Sequence, residues 1–237
     1  MGEVRVIQVN ESVFAENDRT AEVIRRRMTE QGTLFLNVMS SPGSGKTTTL
    51  VALINLLKEK LSIGEMDVDI QSSLDAQRVA DRTGIRALQI HNGGLCHIDA
   101  DMTSRALLEY DTTGLDLLIL ENIGNLVCPA EFDTGAHKNV TILSVPEGDD
   151  KPLKYPLMYQ VSDVVLINKM DALPYFDFDL EKAKQAILAL NPDAVFFPIS
   201  AKTGEGLDAV CAWILEEVKT VKADMAQTAG PLKGECR

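Results

Sequence analysis

The residues best suited to chemistry fall into three groups. The first is Ser40-Ser41-Pro42-Gly43-Ser44-Gly45-Lys46-Thr47-Thr48, set between the apolar run Leu34-Phe35-Leu36-Asn37-Val38-Met39 and a helix-patterned stretch. A glycine loop between a strand and a helix turns successive backbone N–H groups inward, and the helix N-terminus adds partial positive charge. Such a loop cradles phosphate oxygens. Gly43, Ser44, Gly45 and Thr48 would form the cradle, Lys46 would reach the β- and γ-phosphates, and the Thr47 hydroxyl would serve Mg2+. Ser40 stands where the phosphate-loop pattern has its first glycine, while Gly43 and Gly45 remain. The bland alternative is a chance Gly/Ser turn before a helix.

The second group names the nucleotide. Asn168-Lys169-Met170-Asp171 follows the apolar run Val164-Val165-Leu166-Ile167, and Ser200-Ala201-Lys202 follows another, Val195–Ile199. An aspartate at the C-terminal end of a strand accepts both the exocyclic amine and the ring N–H of guanine, a donor pair that adenine lacks. Asn168 and Lys169 would brace the base, and N–H groups of Ser200, Ala201 and Lys202 would bond the guanine oxygen. The expected nucleotide is GTP or GDP with Mg2+. The hydrolysis side needs a carboxylate near the γ-phosphate. Glu121, ahead of Asn122-Ile123-Gly124, resembles an Asp-x-x-Gly switch with glutamate in place of aspartate, and Gly124 would turn its N–H toward the γ-phosphate. Asp75 is a second Mg2+-side and catalytic candidate, with a helix N-cap as the alternative. No glutamine stands where it would position water, so slow turnover is expected unless a partner completes the site.

The third group is Cys96-His97 with Cys128, four residues beyond Gly124. Two thiolates and an imidazole suit Zn2+ or Ni2+, and three ligands leave a position open, as a transfer site requires. Cysteine is also a common small core residue. His91 and His137 are candidate extra ligands, weighed against the preferred reading of each as a surface or core histidine; Cys211 is read as core, and Cys236 as lying in a tail.

The elements that must position these groups alternate. Strands are expected at Leu34–Met39, Met66–Ile70, Ala87–Ile90, Leu115–Leu120, Val140–Val145, Val164–Asn168 and Val195–Ile199. Helices are expected at Asn17–Gln31, Lys46–Leu61, Asp75–Thr83, Ala100–Leu108, around Lys154–Gln160, and at Leu180–Leu190 and Gly206–Val221. Apolar runs such as Leu117-Leu118-Ile119-Leu120 suit central parallel strands covered on both faces. The fold class is therefore α/β, a mostly parallel central sheet with helices on both faces and an N-terminal amphipathic helix. The expected organisation is an N-terminal extension over 1–31, a nucleotide-binding domain over 32–222 and a flexible tail over 223–237. With 23 basic and 35 acidic residues in 237, the net charge of −12 argues against nucleic acid and anionic membranes as partners. No stretch approaches the roughly 20 apolar residues of a membrane span. The start is too polar for a signal peptide, and four scattered cysteines do not make a disulfide framework. A cytoplasmic location is expected.

From Asn10 to Val221 the chain resembles the HypB family of hydrogenase maturation GTPases, nickel-insertion factors of the SIMIBI class. The resemblance rests on Ser41–Thr48, Cys96-His97 followed by Asp99-Ala100, Glu121–Pro129, Glu147–Pro156 and Asn168–Asp171. It implies that Cys96, His97 and Cys128 bind Ni2+ or Zn2+ near a dimer interface, and that a homodimer forms across the nucleotide face when GTP is bound. It further implies a nickel-delivery partner and the hydrogenase large subunit as recipient. Lys151 and Lys154 would touch the nucleotide or the facing subunit, or remain solvated. The cysteine-rich motif and histidine-rich store of some members have no counterpart here, since residues 1–90 contain neither Cys nor His. The reading is a GTP-hydrolysing metallochaperone for [NiFe]-hydrogenase. Its rivals are a nucleotide-switched metal-sensing scaffold and a P-loop small-molecule kinase.

Overall fold

The computed structural model describes residues 10–69 and 74–228. Seven strands form one parallel sheet: β1 (Leu34–Ser40), β2 (Ile63–Asp69), β3 (Arg86–His91), β4 (Leu117–Gly124), β5 (Lys138–Ser144), β6 (Val164–Asn168) and β7 (Val195–Pro198). Their order is β3-β2-β4-β1-β5-β6-β7, so β1 sits at the centre between β4 and β5. The chain leaves β1 for one side of the sheet and later returns to build the other. The loop after β1 therefore opens at a topological switch point, where open α/β sheets bind ligands.

Helices cover both faces. On one lie α2 (Lys46–Leu57), α3 (Leu74–Thr83) and α8 (Leu207–Thr228). Their Leu53, Ile54, Val79, Val210 and Ile214 pack with Leu36, Val38, Ile119 and Leu166 of the sheet. On the other, α1 (Asn10–Gln31) and α4 (Ala100–Glu109) cover Phe35, Leu118 and Leu120. There too α6 (Pro156–Gln160) and α7 (Leu180–Leu190) cover Val165 and Ile167. A short α5 (Lys151–Lys154) precedes α6. Because both faces are covered, β4 and β6 run almost continuously buried.

Several boundaries differ from the sequence expectation. β2 begins at Ile63 rather than Met66; Ile70, its expected last residue, lies outside the described residues. β4 continues beyond Leu120 to Gly124, because buried partners await its polar residues. The helix expected near Lys154–Gln160 is two short ones, each with proline in its first turn. The last helix passes Val221 and reaches Thr228, anchored where Lys222 pairs with Asp116; the expected tail beyond residue 228 lies outside the described residues. Helix α1 starts at Asn10 rather than Asn17 and packs into the core. Its Ala21, Ile24 and Met28 are core residues, 0 to 3 % exposed.

A row of amides crosses the centre of the sheet. Asn122 Nδ2 donates to Asn37 Oδ1 (3.0 Å), Asn37 Nδ2 to Asn139 Oδ1 (2.9 Å), and Asn139 Nδ2 to the Val161 carbonyl (3.0 Å). Buried amides persist only when paired in this way.

Candidate functional site

The loop after β1 turns through Gly43 (φ 77°) and Gly45 (φ 99°) before α2 starts at Lys46. Side chains rarely adopt those angles. A Cβ on Gly45 would also stand 2.7 Å from Asn168 Nδ2. Ser40 needs no glycine, since Lys169 is the only non-glycine with positive φ among the described residues. Its buried hydroxyl gathers the loop instead, accepting from Ser44 Oγ (2.6 Å) and Lys46 Nζ (3.1 Å) while donating to the Ser41 carbonyl (2.8 Å). The Ser41 hydroxyl donates to Glu147, which also takes the Ser144 N–H at 2.8 Å.

A cavity of about 640 Å3 opens over this loop, lined by Gly43, Lys46, Thr47, Asp75, Glu121 and Gly124 among others. The Thr47 hydroxyl donates to Glu121 Oε1 at 2.8 Å, and Glu121 Oε2 is buried with no hydrogen-bond partner. Burial raises the Glu121 pKa to about 7; Lys46 and the Thr47 bond act against that rise, and Asp67 reinforces it. An orphaned carboxylate oxygen beside a threonine hydroxyl fits a hard divalent cation such as Mg2+. Asp75 lies within the first turn of α3, paired with Arg78, and so is not the N-cap. Gly124 pairs with Ser40 in the sheet, and a Cβ there would press on Pro42 at 3.1–3.2 Å. The end of β4 thus lies directly against the phosphate loop.

A second cavity of about 200 Å3 is lined by Gly45, Asn168, Lys169, Asp171, Ala201 and Lys202. Gly45 and Lys169 border both cavities, as befits one ligand with a phosphate end and a base end. Asn168 Nδ2 donates to the Ser44 carbonyl (3.0 Å) and to Thr49 Oγ1 (3.3 Å), and its Oδ1 accepts the Lys169 and Ala201 N–H groups (2.7 and 3.1 Å). Lys169 Nζ donates to the Gly43 carbonyl at 2.6 Å. Asp171 is held by the Ser200 hydroxyl (2.7 Å), with Lys202 at 3.8 Å. The Ser200 and Ala201 N–H groups, expected to face the guanine oxygen, are taken by Glu205 and Asn168.

The thiols meet. Cys96 Sγ stands 2.7 Å from Cys128 Sγ and 3.9 Å from His97 Nδ1. The His97 ring stacks on Phe132, with centroids 4.1 Å apart. Asn92 braces the Cys96-His97 loop by donating to the Leu95 and His97 carbonyls, and Asp99 caps α4 behind it. Cys128 opens a 3-10 turn, and its pKa is raised first by its bond with Cys96 and then by burial. Helix α1 ties both loops together. Asn17 accepts the Ala100 N–H (2.9 Å) and donates to the Asp133 carbonyl (3.0 Å), and Arg25 holds the Asp133 carboxylate. His137 is structural, accepting the Phe35 N–H and bonding Thr29; Cys211 is buried. Lys154 pairs with Asp150, and Lys151 lies 5.3 Å over the Tyr155 ring.

Two residues escaped the sequence reading. Glu65 and Asp67 bring carboxylate oxygens within 4.8 Å of each other and of Glu121, the only three-ligand group of that kind among the described residues. The signal was present as Glu65-x-Asp67-x-Asp69, a period of two that puts the carboxylates on one face of a strand. Starting that strand at Met66 hid it.

Residues 34–198 match the family model described as CobW/HypB/UreG, nucleotide-binding domain. The hydrogenase maturation factor HypB of Rhizobium leguminosarum bv. viciae is 45% identical over 214 residues, 90% of this chain and 71% of that protein. The crystal structure of HypB from Helicobacter pylori in complex with nickel is similar at 38% identity and a TM-score of 0.80, over 86% of this chain and 96% of the other. That of the hydrogenase maturation factor HypB from Archaeoglobus fulgidus is similar at 37% and 0.79, over 86% and 99%. The family model spans the phosphate loop, both thiol loops and Asn168–Asp171, and the chain belongs to the HypB family of hydrogenase maturation GTPases.

Proposed function

We propose that this chain carries Ni2+ toward the hydrogenase large subunit and that its nucleotide state is read out at Cys96, His97 and Cys128. As a HypB-family member it is a GTPase serving nickel insertion. The observation that carries the coupling is the run from Gly124, packed on Pro42 of the phosphate loop, to Cys128, 2.7 Å from Cys96. Anything that moves the end of β4 moves a thiol.

Lys46 and the loop N–H groups hold the phosphates, and Asn168, Lys169 and Asp171 orient the guanine. Thr47 and Glu121, with Asp75 across the same cavity, would hold Mg2+, which would supply positive charge against the phosphates. Gly124 senses the γ-phosphate, and its release after hydrolysis shifts Cys128. In this reading a second copy docks across the nucleotide face when GTP is bound. A dimer would bring a further ligand to the open shell and set Lys151 and Lys154 against the facing subunit. A nickel-delivery partner and the hydrogenase large subunit act at either end of the transfer.

Two affinities linked through one loop change each other by the same factor. Titrating Ni2+ into the protein with GDP and with a non-hydrolysable GTP analogue, while tracking mass, tests this. Metal affinity should differ at least severalfold between the two states; equal affinities would overturn the coupling. Cys128→Ala should weaken Ni2+ binding at least tenfold and leave GDP affinity unchanged.

A further inference from the structure

The carboxylates of Glu65, Asp67 and Glu121 sit beneath the phosphate loop, on adjacent strands β2 and β4, with Asp67 and Glu121 directly paired in register. Glu65 is 0 % exposed, and Asp67 and Glu121 are 3 % exposed. Four of their oxygens (both of Glu65, Asp67 Oδ2 and Glu121 Oε2) are buried without a hydrogen-bond partner. Lys46 offsets part of the charge on Asp67 and Glu121, while Asp75 adds to it. Buried carboxylates clustered and unpaired in this way are strongly unfavourable unless something positive or a proton joins them.

A cation meets that cost, and the spacing admits one. Ligand oxygens around a hard cation at about 2.1 Å lie roughly 3 to 4.2 Å from one another. Oxygens already within 4.8 Å need only small rotamer shifts to close on one. The all-oxygen set selects Mg2+ or Mn2+ over a metal that prefers thiolate or imidazole. We propose that Glu65, Asp67 and Glu121 form a divalent-cation seat that fills before any nucleotide arrives, with Glu65 as the ligand from below. This deepens the Mg2+ role given to Glu121, and rests on that role only in taking Glu121, which lines the phosphate cavity, as the shared ligand. The protein would then meet its nucleotide with a cation already in place. The cation would also keep Glu121 ionised for the Thr47 hydroxyl.

The test is an electron paramagnetic resonance titration of Mn2+ into the full chain, freed of metal and nucleotide. The wild type should take up one Mn2+ that Ni2+-blocking changes at Cys96 and Cys128 leave in place. Glu65→Gln, which keeps shape and removes charge, should weaken that uptake at least tenfold. A thermal melt gives a second readout: Mn2+ should raise the wild-type melting temperature and barely move that of Glu65→Gln, because a ligand stabilises only what it binds. Without divalent cation the variant should be at least as stable as the wild type. No Mn2+ uptake in the absence of nucleotide, or equal uptake by wild type and Glu65→Gln, would overturn the proposal. GDP binding measured in parallel separates these results from any failure of the GTPase reading.

Discussion

At Asp171 the geometry allows a sharp expectation. Its carboxylate is held in place by Ser200 and faced by Lys202, so it presents acceptors in a fixed direction. Asp171→Asn replaces one acceptor by a donor. It should lower GDP affinity by about 10- to 100-fold, the range of a lost charge-assisted bond. The same variant should gain affinity for xanthosine diphosphate, whose 2-oxo group accepts where guanine donates. Competition binding with the two nucleotides checks both. The phosphate and base residues were legible in the sequence because each follows an apolar strand at a recognisable spacing. Ser40 was legible only as a departure; its role emerges from the hydroxyl that gathers Ser44 and Lys46. Glu65 was legible only as part of the alternation Glu65-x-Asp67-x-Asp69; that its carboxylate meets Glu121 depends on β4, a neighbouring strand distant in the chain.

At the scale of elements, the revealing case is α1. Its charged, modestly amphipathic sequence reads as a segment preceding the domain, yet it packs on α4 and α8 and binds the loops that carry the thiols. Those partners, Ala100 and Asp133, lie 83 and 116 residues away, so nothing local in the sequence announces them. Asn17→Ala removes both bonds at once. It should cost about 1 kcal/mol of stability, as lost caps do. It should also weaken Ni2+ binding severalfold without changing GDP affinity, because the nucleotide cavity receives nothing from Asn17. Urea melts and the two titrations distinguish this from general unfolding. The early end expected for β4 has a simple source. Glu121 and Asn122 interrupt an apolar run, which ends a strand on paper; in the sheet their polar groups find Thr47 and Asn37 and the strand continues.

For the whole molecule, stability should depend on pH through His137. Burial lowers its pKa to about 4, helped by Arg25 and Lys138. The unfolded chain, near the ordinary value of about 6.5, therefore binds a proton that the folded chain refuses. His137's contribution is complete above pH about 6.5 and declines as pH falls toward 4. Raised pKa values at Glu65, Asp67 and Glu121 act in the opposite sense, so the comparison needs a variant. Between pH 7 and 4.5 the wild type should lose on the order of 2 kcal/mol more than His137→Asn, measured by denaturant melts. No described helix is long and apolar enough to cross a membrane. The row of amides through Asn122, Asn37 and Asn139 has a consequence of its own. Every member donates in the same direction, so the row is polarised, and no amide can flip without setting donor against donor or acceptor against acceptor. Sliding any of β4, β1 or β5 by one residue would turn its asparagine to the opposite face and break the row. Apolar side chains would tolerate a slipped alignment of these strands far better than this row does. The three strands beneath the phosphate loop are therefore keyed to one alignment by side chains as well as by backbone, which fixes where the loop begins.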